Sequence, residues 1–341
     1  MRPDIPPDTT NTFSHLKRTF DIDTLFLEIP IMGIYGNVYV INDKNAIIMV
    51  DTGPKTSSNI KTISRYIESR KKPVYLLLTH EHTDHIGLAR VLQTQYGSTV
   101  FIHNKSKTWT TNFETKWDQR CALVHDLLIS SGFPAKYINY FDEFHKIKIY
   151  AESFDSNHYV NDNDILNLAG RKIRVIYTPG HSVGSACYYD YEYKLLFCGD
   201  HVIGGYNPLP TIDYVGNGNS RYSSINNSIK SFAKLDRYNS LLFALPGHGN
   251  IITDLGKYKA NYIGYINKYM ASILGHLEKY VKLTPFEMYM LVYNHSRVKS
   301  VNHFFGRIQI LFCILDTLES KATIRRNKIR DTLYYSLIKG I

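Results

Sequence analysis

The sequence predicts an α/β layered domain followed by a smaller, mostly helical and basic segment. Three observations predict it. Short β-branched or aromatic runs alternate with helically spaced apolar stretches from Thr24 to about Gly249. Residues Ser106–Asn157, rich in Trp, Tyr and Phe, interrupt that rhythm, and after Gly256 the pattern turns helical. At 341 residues and 44% apolar content, the chain can fill one large core and a smaller one. We read 20–255 as the first domain, with 106–157 a mostly helical insertion in it, and 256–341 as the second.

The expected strands are Val38–Ile41, Ala46–Val50, Val74–Leu78, Thr99–Ile102, Ile173–Tyr177, Ala186–Tyr191, Leu195–Cys198 and Leu241–Leu245. Between them Thr56–Ser69, Ile86–Gln95 and Ser223–Leu235 carry apolar residues at helical spacing. Further on, Thr284-Pro285-Phe286-Glu287 has the form of a capping box with proline at the first helical position, so a helix starts there and runs through Tyr293. A second helix covers Val301–Leu318. Ala322–Ile338 reads as two short strands joined near Arg326-Asn327, giving the helix-helix-hairpin order of a winged helix.

Charge is unevenly placed. From Lys257 onward there are fourteen basic residues, Arg297 and Lys339 among them, against five acidic ones, which puts nine of the ten net positive charges in this segment. A basic tail on a near-neutral body suits an anionic partner such as nucleic acid or an acidic surface, or simply a solvated lysine-rich face. No apolar run approaches the roughly 20 residues of a membrane span, and the opening Met-Arg-Pro-Asp-Ile-Pro-Pro-Asp is too polar for a signal peptide. We therefore expect no membrane association and a cytoplasmic location. Cys121, Cys187, Cys198 and Cys313 are scattered without a CxxC pair, as free buried thiols are.

Chemistry concentrates in Thr79-His80-Glu81-His82-Thr83-Asp84-His85, directly after the strand Val74–Leu78. Three imidazoles and a carboxylate within six residues offer the N and O donors that Zn²⁺ accepts. Strand alternation points His80 and His82 one way while Asp84 and His85 turn toward a neighbouring position, so one loop can feed two metals. Three other strands run straight into a ligand in a glycine-containing turn: Thr178-Pro179-Gly180-His181, Gly199-Asp200 and Pro246-Gly247-His248-Gly249. Glycine lets the backbone approach a metal without a Cβ in the way, and four such strand ends can converge on one crevice.

The order HxHxDH, Pro-Gly-His, Gly-Asp, Pro-Gly-His-Gly, with Asp51-Thr52-Gly53 after the strand Ala46–Val50, resembles the metallo-β-lactamase superfamily from roughly Gly36 to Gly249. The resemblance implies a four-layer αββα sandwich with metals at one edge between its sheets. It assigns His80, His82 and His181 to a first metal and Asp84, His85 and His248 to a second, with Asp200 bridging them and Asp51 orienting the ligand loop. The other nine histidines, among them His103, His125, His145, His158 and His201, match no motif and are read as packing or surface residues. Two divalent cations are expected, zinc first, although the same ligands accept iron or manganese. Such a pair, about 3.5–4 Å apart, acidifies a shared water to hydroxide, which attacks a carbonyl or phosphoryl centre. Asp84 is the expected proton shuttle to the leaving group.

Within that superfamily, Asp200 and the polar N-terminus argue against a secreted β-lactamase, and His82 departs from the HxExD pattern of the diiron oxidoreductases. Sulfur dioxygenases share HxHxDH but bind one iron. Glyoxalase II-like thioesterases, lactonases and lactamase-like endoribonucleases remain. A small ester or thioester ranks first: Trp109, Phe113, Trp117, Phe133, Tyr137, Tyr140 and Phe141 either wall an acyl pocket or form the insertion's own core. The segment Tyr206–Tyr222 could close over the site, with Arg221, beside Tyr222, pairing a substrate carboxylate or phosphate. The alternative is cleavage of single-stranded RNA, held by Arg325, Arg326, Lys328 and Arg330 on the C-terminal hairpin.

Overall fold

Most strands of the first two thirds of the chain are apolar on both faces, and both faces are buried. The computed structural model describes residues 9–30, 33–215, 220–238, 240–294 and 298–338; Arg297 and Lys339 lie outside them. Helix α1 (Thr9–Phe20) leads into β1 (Ile22–Ile29), β2 (Ile34–Asn42) and β3 (Ile47–Val50). Helix α2 (Ser57–Arg70), β4 (Val74–Leu78), the short α3 (Thr83–Ile86), α4 (Ala89–Tyr96) and β5 (Thr99–His103) follow. The insertion is helical: α5 (Lys107–Thr111), α6 (Phe113–Ser130) and α7 (Ala135–His145). Strand β6 (His158–Val160) completes a six-stranded sheet in the order β1-β2-β3-β4-β5-β6.

The second sheet has the order β13-β10-β9-β8-β7. It uses β7 (Ile165–Leu168), β8 (Arg171–Tyr177), β9 (Ala186–Asp190) and β10 (Leu195–Gly199). The small pair β11 (Tyr214–Val215) and β12 (Ser220–Arg221) and helix α8 (Ser224–Leu235) intervene before β13 (Phe243–Pro246) joins β10 in parallel.

Side-chain alternation makes the layers. Tyr39, Ile41, Ile48, Val50 and Leu77 of the first sheet meet Val175, Tyr188, Leu195, Phe197 and Leu245 of the second in one cluster. Their neighbours Val38, Val40, Ile47, Met49, Leu76 and Leu78 face away into a second cluster, shared with Ile63 and Ile67 of α2 and Leu92 of α4. On the other sheet, Cys187, Tyr189, Leu196 and Cys198 share that outer cluster with Ile225, Phe232 and Leu235 of α8. The arrangement is helix, sheet, sheet, helix. All four cysteines are buried and free.

Beyond β13 come α9 (Leu255–Lys279), α10 (Pro285–Val292) and α11 (Val301–Ser320), then the hairpin β14 (Ile324–Ile329) and β15 (Thr332–Leu337). The Thr284 hydroxyl accepts the Glu287 N–H at 3.1 Å while the Glu287 carboxylate accepts the Thr284 N–H at 2.7 Å, which is the reciprocal cap expected from the sequence. This region packs on the insertion through an aromatic cluster. Phe133 meets Phe286 at 5.2 Å and Tyr289 at 5.5 Å between ring centroids, and Phe144 stacks on Phe305 at 3.6 Å. No helix among the described residues is long and apolar enough to cross a membrane.

Three sequence expectations shift. The helix expected over Ile86–Gln95 is broken into α3 and α4 at Gly87, where a Cβ would lie 2.6 Å from the Gly53 oxygen and 2.6 Å from the Lys55 nitrogen. The hairpin turns at Arg330-Asp331, not near Arg326-Asn327, because Ile329 pairs with Thr332 and Arg330 takes a positive φ of 53°. Helix α1 and strand β1 were not anticipated: β1 is an edge strand whose Thr24, Leu25 and Phe26 stay part-exposed, so its burial does not alternate cleanly.

Candidate metal centre

Four loops meet at one rim of the sandwich, each leaving the end of a strand: Thr79–His85 after β4, Thr178–His181 after β8, Asp200 after β10, and Gly247-His248-Gly249 after β13. Close approach requires glycine there. A Cβ on Gly247 would come within 2.6 Å of His85 Cε1 and 2.7 Å of Asp200 Oδ1. The His248 loop is fixed from β2, where Asn37 Nδ2 donates to the Pro246 and Gly249 carbonyls at 3.1 and 2.9 Å and the Tyr39 hydroxyl donates to Pro246 at 2.9 Å.

All seven residues singled out in the sequence gather here. His82 Nδ1 lies 3.1 Å from His80 Nε2 and 2.9 Å from His181 Nε2. Nitrogens bound at about 2.0–2.1 Å to one tetrahedral zinc stand roughly 3.3 Å apart, so this trio needs little movement to share a cation. In the second group, Asp84 Oδ2 is 3.2 Å from His248 Nε2 and 3.8 Å from His85 Nε2. Asp200 stands between the groups: Oδ2 is 3.5 Å from His181 Nε2 and 3.4 Å from His248 Nε2, and Oδ1 is 3.4 Å from His85 Nε2.

Hydrogen bonds behind the rings fix which nitrogen faces inward. The Asp51 carboxylate accepts the Thr79 N–H at 2.8 Å and the Thr79 hydroxyl at 2.8 Å, and lies 2.8 Å from His85 Nδ1. Nδ1 of His85 therefore carries the proton toward Asp51, and Nε2 faces the cluster. With its own proton committed to Asp51, the Thr79 hydroxyl accepts from His80 Nδ1 at 3.0 Å. Carbonyls accept from the other two rings, Leu209 from His181 Nδ1 at 2.9 Å and Tyr35 from His248 Nδ1 at 3.2 Å. Four rings thus present Nε2 inward, and His82 presents Nδ1. Asp51 itself takes a positive φ of 63°, a strained conformation held by these bonds.

Electrostatics divide the site in two. Burial pushes the His80 and His82 pKa values well below the ordinary imidazole range, aided by the neighbouring rings, and burial lowers His181 as well. His85 and His248 go the other way. Burial works against their charge, but Asp200 overrides it, raising His85 well above the usual value and His248 to about 10. Burial works to raise both acids, yet the charges on His85 and His248 hold Asp84 and Asp200 below the normal carboxylate range. Carboxylates that draw protons onto two buried imidazoles would draw a divalent cation for the same reason. The donor set fits such ions: His85 Nε2 and Asp200 Oδ1 are buried and make no hydrogen bond, which is costly for polar atoms unless a ligand completes them.

A cavity of about 430 Å³ opens on His82, Asp84, His181, Asp200 and His248. Its walls are largely apolar, with Trp117, Phe144 and Ile147 from the insertion, Leu209 from the loop after β10, and Phe305 from α11. Of the insertion aromatics expected at the site, only Trp117 lines it; Phe133 and Tyr137 pack against α10 and α11 instead.

The expectation for Arg221 and Tyr222 is corrected. Neither lines the cavity. The Arg221 guanidinium, nearly buried, pairs with Asp316 and donates to the Tyr335 hydroxyl at 3.1 Å, while the Tyr222 hydroxyl donates to the Ser182 carbonyl at 3.3 Å. Both are structural ties. His103 stacks on Tyr177 and His201 packs on Phe232, as residues outside the motifs were expected to. Three residues were missed: Arg120 in the cavity wall, Asn37 behind the His248 loop, and Glu81, buried between His80 and His82 and accepting from the Ser106 hydroxyl at 2.9 Å. For Asn37 and Glu81 the one available signal was a polar residue in or beside an apolar strand.

A two-sheet sandwich whose rim gathers imidazoles and carboxylates around shared lone pairs is built as the metallo-hydrolases are. Over residues 32–248, more than half its length, the chain matches the metallo-beta-lactamase superfamily; it belongs to that superfamily and is a hydrolase. It is similar to a probable metallo-hydrolase of Bacillus subtilis, 26% identical over 52% of this chain and 70% of that protein. It is also similar to the human acyl-coenzyme A thioesterase MBLAC2, 24% identical over 68% of this chain and 80% of the relative. A hydroxyacylglutathione hydrolase of Haemophilus influenzae is 25% identical over 66% and 91%. Among solved structures, a metallo-beta-lactamase family protein of Thermus thermophilus superposes with a TM-score of 0.74 at 19% identity, over 93% of this chain and 98% of its own. A beta-lactamase domain protein of Burkholderia ambifaria gives 0.78 at 13% identity, over 93% and 92%. Coverage of 93% cannot be reached without the C-terminal helices, so that part of the fold is shared too.

Proposed function

We propose that this chain is a binuclear hydrolase of small esters or thioesters, of the acyl-thioester or lactone type. His80, His82 and His181 would hold one divalent cation, Asp84, His85 and His248 the other, and Asp200 would touch both. Bound there, the cations would supply an acidified water and a Lewis acid for the substrate oxygen, and zinc suits the nitrogen-rich donor set. The chain's own residues do the rest. Asp51 and Thr79 hold His80 and His85 in register. Asp84, at 14% side-chain exposure against 8% for Asp200, is the more accessible carboxylate and lines the cavity, so it is placed to carry a proton to the leaving group.

The observation that carries the substrate class is the cavity. At about 430 Å³ and walled by Trp117, Phe144, Ile147, Leu209 and Phe305, it suits a medium-length acyl group and excludes water from it. A single-stranded RNA site calls for a basic, open groove with stacking platforms. The hairpin offered for that role also spends part of its charge internally, with Arg326 paired to Glu319 and Lys328 to Asp331. The relatives named as a thioesterase and a hydroxyacylglutathione hydrolase favour the same choice. A side-by-side assay of the metal-loaded chain on acyl-thioesters, lactones and single-stranded RNA tests it. Thioester or lactone cleavage that a chelator abolishes is the expected result, and cleavage of RNA alone would reverse the assignment.

A further inference from the structure

Arg120 is a charged side chain in a largely apolar wall that also carries Asn207, Thr211, Asn302 and Gln309. It sits on α6, one turn after Trp117, and is only 9% exposed, yet it lines the same cavity as His82 and Asp84. Its Nε donates to the Ile212 carbonyl at 3.1 Å and one Nη2 hydrogen to the Thr211 hydroxyl at 2.8 Å. Both acceptors are neutral. The guanidinium also lies over the Trp117 ring, 6.0 Å from its centroid, and among the described residues its side-chain hydrogen bonds are those two and it forms no ion pair. The buried Asp213 feels the Arg120 charge, which works against the effect of burial on its carboxyl, but the two form no ion pair. A buried cation is costly unless an anion meets it, and Arg120, with N–H groups beyond those bonded to Ile212 and Thr211, lines the cavity where a ligand could meet it.

We propose that Arg120 is a specificity-determining residue that receives a carboxylate carried by the substrate. This deepens the ester or thioester reading and rests on it. Substrates would then be amphiphilic acids: an apolar chain against Trp117, Phe144 and Phe305, the scissile bond at the imidazole cluster, and a carboxylate on the guanidinium. Nη1 and the second Nη2 hydrogen form the two-pronged edge that a carboxylate matches. One guanidinium balances one negative charge, which favours a carboxylate over a phosphate monoester with its roughly two charges at neutral pH.

The test uses three thioesters: octanoyl-N-acetylcysteamine, which is neutral, suberoyl-N-acetylcysteamine, with a carboxylate on the acyl side, and octanoyl-N-acetylcysteine, with one on the thiol side. In the metal-loaded wild type, the better carboxylate-bearing thioester should exceed the neutral one in kcat/KM by about 10- to 100-fold, the span of a hydrogen bond to a charged group. In Arg120→Gln the ratio should collapse toward one, and Arg120→Lys should restore part of it. No preference in the wild type, or an equal loss on all three substrates in Arg120→Gln, would overturn the proposal and leave Arg120 as a tie to Thr211 and Ile212. Should none of the three be cleaved, the ester or thioester reading fails by itself, and calorimetric titration with octanoate still reads Arg120. Tighter binding to wild type than to Arg120→Gln supports the carboxylate site; equal or no binding to the two refutes it.

Discussion

The rim and the roof of the active cavity are made by opposite rules. At the rim, the clustered residues follow the ends of four strands, and hydrogen bonds to Asp51, Thr79, Leu209 and Tyr35 hold the rings of His85, His80, His181 and His248. At the roof, side chains from α6, α7 and α11 meet across almost two hundred residues of sequence, with Phe144 and Phe305 stacked face to face. Directional hydrogen bonding gives the rim its precision; apolar contact gives the roof its shape. Substitutions at the two should therefore fail differently.

The largest effect belongs to the rim. Asp200→Ala removes the one carboxylate that touches both ligand groups and should abolish turnover, with far-UV circular dichroism unchanged and metal content below two per chain by elemental analysis. Substantial activity in that variant would count against a shared centre. Next comes the roof. Phe304 is fully buried among Phe133, Tyr137 and Tyr289, and Phe304→Ala should cost about 3–5 kcal/mol of unfolding free energy in denaturant titration while metal stoichiometry is retained. If that variant lost its metals, the two regions would not be separable. Behind the ligands, Asp51→Asn weakens the acceptor for His85 and Thr79, and metal affinity should fall about 10- to 100-fold in competition with a chelating dye. The smallest effect falls on cavity shape: Trp117→Leu should change KM across acyl chain lengths by several-fold with kcat little altered, since a few buried methylenes are worth about 0.8 kcal/mol each.

The same contrast explains what the sequence disclosed. His80 to His85 were legible from three imidazoles and a carboxylate packed into one loop after a strand, and His181, Asp200 and His248 because each lies in a glycine-marked turn at a strand end. The strands that carry them were legible because, buried on both faces, they read as continuous apolar runs. Arg120 was not legible: on its own helix it looks like any solvated arginine, and only tertiary packing against Thr211 and Ile212 buries it. Arg221 misled for the mirror-image reason, since its partner Asp316 lies far along the chain on α11. The hairpin turn escaped because Arg330 adopts a left-handed conformation that sequence assigns to Asn or Gly, and Asn327 drew the turn toward itself.

The meeting of Phe144 with Phe305 carries an evolutionary corollary. The imidazole and carboxylate cluster and the apolar wall of the cavity lie on separate stretches of chain, so drift in α7 or α11 would reshape the cavity without disturbing a residue of the cluster. Chimaeras that exchange only residues 281–338 between relatives should then transfer selectivity and leave the catalytic apparatus of the host intact.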